Sequence, residues 1–254
     1  MAARLRCITV DITGTLMRYV GHIGDYYCMA AKRAGQTCPD YDKVLQGFKV
    51  GYEQVSKQYP CFGMHAGMNN KDWWRLVVQR SFEEAGYFYN KETGEAIFER
   101  IYSIFGSRAP YEVFDDVVPF LRWARAQGFK TGSLSNAAAR YRDQIMPALG
   151  IVEGSELDFQ VYSGLIGIEK PDPRIFEVAR QAAGAPDPSS ILHIGDSFRK
   201  DYQAAENAGW NALLIDRFSS PDAKMCVAAK GHVVKNLDEA RQWIHQRGLL
   251  EVLI

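Results

Sequence analysis

From residue 117 to residue 246 the chain alternates amphipathic stretches with short apolar runs, and that alternation limits its folds more than any other feature. Val117–Ala126 has helical spacing and is closed by Gly128, and residues 129–134 then read as a strand. Residues 137–149 are helical, and Phe159–Tyr162 has strand character. Pro173–Ala183 opens on a proline, a favoured first helical residue. Residues 190–194 form a strand that runs out at Gly195-Asp196. A helix over 199–208 follows, closed by Gly209, then a strand over 210–215. Val233-Val234 and Leu237–Gln246 finish the series. Helices regularly interposed between strands require right-handed crossovers and a parallel sheet covered on both faces. The expected class is α/β, with a doubly wound, Rossmann-like core.

The first strand of that core lies at the other end of the chain. Residues 5–10 form an apolar, partly β-branched run that stops at Asp11, and Thr13-Gly14-Thr15 breaks it. Residues 26–35, 44–59, 71–85 and 92–105 then carry helical patterns with no convincing strand between them. The expected division is a core of residues 1–16 and 111–254, with a helical cap inserted over 17–110. In open parallel sheets, ligands bind beyond the carboxyl ends of the strands. An insertion leaving after the first strand would roof that edge.

Composition removes several classes of function. The 254 residues are 47% hydrophobic and 24% charged, an ordinary globular mixture. Thirty basic residues balance thirty acidic ones, which gives no electrostatic case for a nucleic-acid surface. No apolar run approaches the ~20 residues of a membrane span. The strand-like run close to Met1 leaves no room for a signal or transit peptide, so a cytoplasmic location is expected. Cys7, Cys28, Cys38, Cys61 and Cys226 are scattered without a CxxC pair, and read as reduced thiols. The sequence does not choose between a monomer and a homodimer.

The chemistry gathers where strands end. The first stops in Val10-Asp11-Ile12-Thr13-Gly14-Thr15-Leu16, and the second at Ser135-Asn136. Lys170 stands in Glu169-Lys170-Pro171-Asp172-Pro173, just before a helix; a later strand ends at Gly195-Asp196, with Asp201 five residues on. Facing carboxylates repel unless a cation separates them. Asp11, Asp196 and Asp201 make a hard-oxygen set suited to Mg²⁺. A hydroxyl and an ammonium group suit a phosphoryl group beside that ion.

In these four motifs, in this order, the sequence resembles the haloacid dehalogenase superfamily, most of whose members are phosphohydrolases. The resemblance spans the whole core and implies an aspartyl-phosphate mechanism with Mg²⁺. It implies catalytic roles for Asp11, Thr13, Ser135 and Lys170. It further implies phosphate contacts from Ile12, Thr13, Ser135, Asn136 and Lys170, and metal ligands from Asp11, the Thr13 carbonyl, Asp196 and Asp201. The implied partner is a small phosphorylated metabolite, with no nucleic acid and no membrane.

One position departs from the pattern. The family's phosphatases have Asp-x-Asp-Gly-Thr, and here Thr13 replaces the second aspartate. That aspartate protonates the leaving oxygen and then activates water. General acid–base catalysis of this kind is worth roughly 10²–10⁴-fold, so a slow phosphatase is expected. Two alternatives stand beside it. One is a catalytically weak member that binds a phosphorylated ligand or a partner protein. The other is a 2-haloacid dehalogenase, against which Gly195-Asp196 argues.

Taken singly, each motif residue has a bland reading. Asp11 could be a turn former, Ser135-Asn136 a helix cap, and Lys170 a solvated lysine. Their order on successive strand ends outweighs those readings. Asp201 has the weakest claim and could orient the metal shell or a neighbouring lysine rather than touch the ion. His193 reads as a strand residue, Trp73-Trp74 as packing within the helical module, and residues 60–65 as an interhelical loop able to touch substrate.

Overall fold

A computed structural model describes residues 4–247. Cys7–Val10 (β1), Lys130–Ser135 (β4), Phe159–Tyr162 (β5), Ile191–Gly195 (β6), Asn211–Ile215 (β7) and Val233–Val234 (β8) form one six-stranded sheet. Its order is β5-β4-β1-β6-β7-β8, and every pairing is parallel. This is the doubly wound α/β core, with β1 at the centre between β4 and β6. Met17–Tyr19 (β2) and Tyr111–Val113 (β3) make a separate two-stranded ribbon, which the alternation of apolar residues did not signal.

Burial explains the composition of the strands. All four residues of β1 and all five of β6 are buried, as expected for strands covered on both faces. The helix Pro173–Ala183 is capped by the Asp172 side chain and stopped by left-handed Gly184. Its Ile175, Phe176 and Ala179 pack with Leu134, Val161 and Leu214 of the sheet. Register decides where the chemistry falls. Val10 lies beside Ser133 and Ile194, so Asp11, Ser135 and Asp196 leave the sheet at the same edge.

Contacts divide the chain into two compact units. One comprises residues 1–18, 112–137 and 149–254; the other comprises 19–111 and 138–148. The second therefore takes in a segment, 138–148, that the sequence pattern assigned to the core. Its main helices are Ile23–Arg33 (α1), Tyr41–Gln58 (α2), Asn70–Glu84 (α3) and Lys91–Ile104 (α4). Asp40, Asn69 and Asn90 cap the last three by accepting from backbone N–H groups in the first turn. Tyr27, Val44, Val78, Phe82, Ile97 and Phe98 form their shared core.

Cys28 and Cys38 are joined by a disulfide, with Cα atoms 4.7 Å apart. The reading of five separate thiols is corrected for this pair. The two cysteines are ten residues apart, and the loop after α1 folds back against the middle of that helix. Cys7, Cys61 and Cys226 are free and buried. Among the described residues, no helix is long and apolar enough to cross a membrane.

Candidate active site

After Val10 the chain turns sharply. Thr15, Leu16 and Met17 N–H groups all donate to the Ile12 carbonyl, and Gly14 N–H donates to Met17. Gly14 has φ +84°, and a Cβ there would overlap the Asp196 carboxylate. Glycine therefore lets two strand-end loops, one from β1 and one from β6, approach each other. Gly195 does the same for Asp201, whose carboxylate occupies the space a Cβ would need.

Lys170 is the hub of this edge. It is 3% exposed, and its Nζ donates to Asp11 Oδ1 at 2.7 Å, to the Leu134 carbonyl at 2.9 Å and to Asp201 Oδ1. An ammonium group has three donors, and all three are used. Asn136 fixes the lysine from behind through two backbone bonds. Its Nδ2 donates to the Lys170 carbonyl at 2.8 Å, and its Oδ1 accepts from Lys170 N–H at 2.7 Å. The Ser135 hydroxyl is buried and hydrogen-bonds the Asp11 carboxylate.

Asp201 is 2% exposed and crowded with partners. Besides Lys170, its Oδ1 meets His193 Nε2 at 3.1 Å, while Oδ2 accepts from Ser197 N–H at 2.9 Å. His193 in turn places Nδ1 2.9 Å from Thr9 Oγ1, inside β1. This histidine, which reads from the sequence as an ordinary strand residue, ties the Asp201 carboxylate to the central strand. β6 is buried throughout, so no alternation along the strand marked it. Thr15 is a second residue the motif reading passed over: it is fully buried, and its Oγ1 has no partner among the described residues.

Asp11, Asp196 and Asp201 each present a carboxylate oxygen within 4.8 Å of the others. One ammonium group contacts two of the three carboxyl groups, and the imbalance shows in their acidities. Burial raises the Asp11 pKa above the ordinary range, and the charge of Asp201 adds to this against Lys170. Burial likewise pushes Asp196 up to about 7, reinforced by Asp11 and Asp201. For Asp201 burial is outweighed by Lys170 and His193, and its pKa falls well below the usual range. Burial also opposes the charge of Lys170, but Asp11 and Asp201 outweigh it and raise the pKa. A cluster of hard oxygens with surplus negative charge fits a divalent cation such as Mg²⁺ better than a soft metal.

The structure thus brings Asp11, Ser135, Asn136, Lys170, Asp196 and Asp201 to one sheet edge. Ile12 is buried in the turn, and Thr13 is half-buried there. Among the other candidates, Phe62 packs 4.9 Å from the Trp73 ring, and Trp73 is buried with its Nε1 donating to the Tyr59 carbonyl at 2.9 Å. Both belong to the packing of the helical unit.

This arrangement is an acidic strand-end cluster around a buried lysine on a doubly wound α/β fold. The chain matches the haloacid dehalogenase-like hydrolase family over residues 5–209 and belongs to it. It is 32% identical over 212 residues to haloacid dehalogenase-like hydrolase domain-containing protein 3 of Bos taurus, covering 84% of this chain and 82% of that one. The Danio rerio protein of the same name is 29% identical over 240 residues, covering 94% and 96%. The fold is similar to a putative beta-phosphoglucomutase from Thermotoga maritima (TM-score 0.67, 15% identity, covering 95% of this chain and 99% of that one). It is equally similar to the putative hydrolase YfnB from Bacillus subtilis, a structure bound to magnesium (TM-score 0.67, 14% identity, covering 96% and 100%).

Proposed function

We propose that the protein is a slow, Mg²⁺-dependent phosphatase of small phosphorylated metabolites that works through an aspartyl phosphate on Asp11. The observation that carries this reading is the contact of Lys170 Nζ with Asp11 Oδ1 beside the Asp196 and Asp201 carboxylates. Asp11 attacks phosphorus, and the bond from phosphorus to the leaving oxygen breaks. Lys170 holds the Asp11 carboxylate in place and offers positive charge to the phosphoryl oxygens. Ser135 and the backbone N–H groups of the turn after Asp11 are the other donors suited to those oxygens. Asp11, Asp196, the Thr13 carbonyl and Asp201 are the groups that would hold Mg²⁺. When bound, the ion supplies charge neutralisation between phosphate and carboxylates.

Asp201 does most of its work through Lys170, as a positioning residue held by His193 and the Ser197 N–H. Thr13 can donate a hydrogen bond to the leaving oxygen but is a poor acid and a poor base near neutral pH. Both the first step and hydrolysis of the aspartyl phosphate are therefore slow for poor leaving groups. Thr13 also favours a second reading, in which the site holds a phosphorylated ligand with little turnover.

The test is hydrolysis of a panel of aryl, acyl and alkyl phosphates with Mg²⁺ and with chelator, with 2-chloropropionate as a dehalogenation control. Mg²⁺-dependent release of phosphate, fastest from acyl and aryl esters, is the expected result. Tight Mg²⁺-dependent phosphate-ester binding without release moves the second reading ahead. Chloride release in chelator overturns both.

A further inference from the structure

The helical unit holds a partly open cavity of about 320 Å³, within the range of small-molecule sites. Its walls are mostly apolar: Tyr27, Phe98, Ile101 and Phe105 are among them. Two polar side chains in the same wall are left unsatisfied. Arg140 is 7% exposed, yet its Nε has no hydrogen-bond partner among the described residues. Trp74 Nε1 is likewise buried without an acceptor.

The surroundings of Arg140 satisfy only part of the guanidinium. Its Nη2 donates to the Tyr102 carbonyl at 2.8 Å and to Gln144 Oε1 at 3.2 Å, and its Cζ lies 3.7 Å from the centroid of the Tyr102 ring. Among the described residues, no carboxylate forms an ion pair with it. A guanidinium stays charged in proteins. Burying one without a counter-charge is costly, and carbonyl and ring contacts offset only part of that cost. Both unsatisfied groups are donors, so what the cavity lacks is an acceptor. A neutral apolar occupant would leave both unmet.

We propose that this cavity binds a small organic anion, with its single oxyanion head on Arg140 and an aryl or branched aliphatic body against the apolar wall. Trp74 Nε1 supplies a second donor to an acceptor on the same ligand. The site is assigned to the helical unit alone and does not depend on turnover at Asp11. It is an addition to the hydrolase reading rather than a part of it.

Calorimetric titration of the full chain in chelator, where no phosphate ester is turned over, tests this with three probes of one shape. They are 3-phenylpropionate, 3-phenylpropyl phosphate and 3-phenylpropanol. Wild type is expected to bind at least one anion, and the alcohol at least about tenfold more weakly, as loss of a charge-assisted bond implies. The stronger of the two anions identifies the head as carboxylate or phosphate. Arg140→Met is expected to abolish the preference for the anion while the alcohol still binds. Trp74→Phe keeps the packing and is expected to weaken the anion severalfold. Thermal melts establish that each variant is folded; should Arg140→Met fail to fold, Arg140→Gln, which also removes the charge, and Trp74→Phe carry the test. Equal binding of anion and alcohol overturns the proposal. So does an anion preference that survives substitution of Arg140, which places the anion at the strand-end site instead. Absence of binding by every probe at millimolar concentration overturns it as well.

Discussion

Lys170 Nζ lies 2.7 Å from Asp11 Oδ1, and the same nitrogen holds Asp201, so one buried cation spans two of the three carboxylates at the sheet edge. That makes the lysine a structural counter-charge as well as a binding group. Lys170→Met leaves Asp11 and Asp201 buried and uncompensated. The expected cost is about 3–5 kcal/mol of stability, together with loss of turnover. Urea unfolding in chelator measures it, and an unchanged midpoint would show that the carboxyls simply take up protons instead.

Asp11→Asn keeps the shape of the side chain and removes the nucleophile. Turnover of an aryl phosphate is expected to fall at least ~10³-fold, with the near-UV circular dichroism spectrum unchanged. Residual activity close to wild type, in a preparation purified away from other phosphatases, removes Asp11 from its role.

Mg²⁺ is expected to stabilise the folded chain as well as to enable turnover. At 100 times its dissociation constant, an ion bound only by the folded state adds about 2.7 kcal/mol. Differential scanning calorimetry with and without Mg²⁺ reads this directly. Asp196→Asn removes a carboxylate that burial and its neighbours hold up near 7, and it should lose most of the Mg²⁺ increment.

Thr13→Asp restores a carboxyl able to act first as acid and then as base. Hydrolysis of alkyl phosphates is expected to rise at least about tenfold, within the usual contribution of a positioned acid–base group. Mg²⁺ affinity is measured in parallel, because a new carboxylate beside Asp11 could disturb the ion. Normal Mg²⁺ binding with no gain in rate shows that proton transfer is not what limits turnover.

Trp73 is 1% exposed and packs against Tyr52, Phe62 and Trp74. Trp73→Ala opens a cavity and strips the Tyr59 carbonyl of one of its two donors, leaving the Gly63 N–H. A cost of about 3–5 kcal/mol is expected, read by thermal unfolding. Little change in aryl phosphate turnover below the new melting point is expected, since Trp73 belongs to the packing of the helical unit.

Much of this was legible because two kinds of period were strong. Helical spacing located α1 to α4 within a few residues, and glycine and proline marked the ends of the core elements. Asp11, Ser135, Lys170 and Asp196 were readable because each closes a strand or opens a helix. What escaped depends on distant residues. The β2–β3 ribbon pairs segments more than ninety positions apart and carries only three residues a side. The helix Pro221–Ala228 has Val227 exposed and only Cys226 buried, so it has no clear apolar stripe. His193 looks like any inward strand residue until Asp201 folds beneath it. Cys28 and Cys38 have no motif spacing, and Arg140 gains its meaning only from the ring of Tyr102 and the wall around it.

The grouping of residues 138–148 with the helices of 19–111 bears on how such proteins are recombined. The chain passes between the two units at residues 18/19, 111/112, 137/138 and 148/149, so the helical unit is not one cassette spliced into a host. A chimera that transplants 19–111 alone would carry most of the cavity wall but leave Arg140, Tyr141 and Ile145 behind. The short second segment begins three residues after Ser135, which ties the cavity's charged wall to the strand that ends at Ser135. Moving the cavity whole into another chain therefore calls for two coordinated grafts.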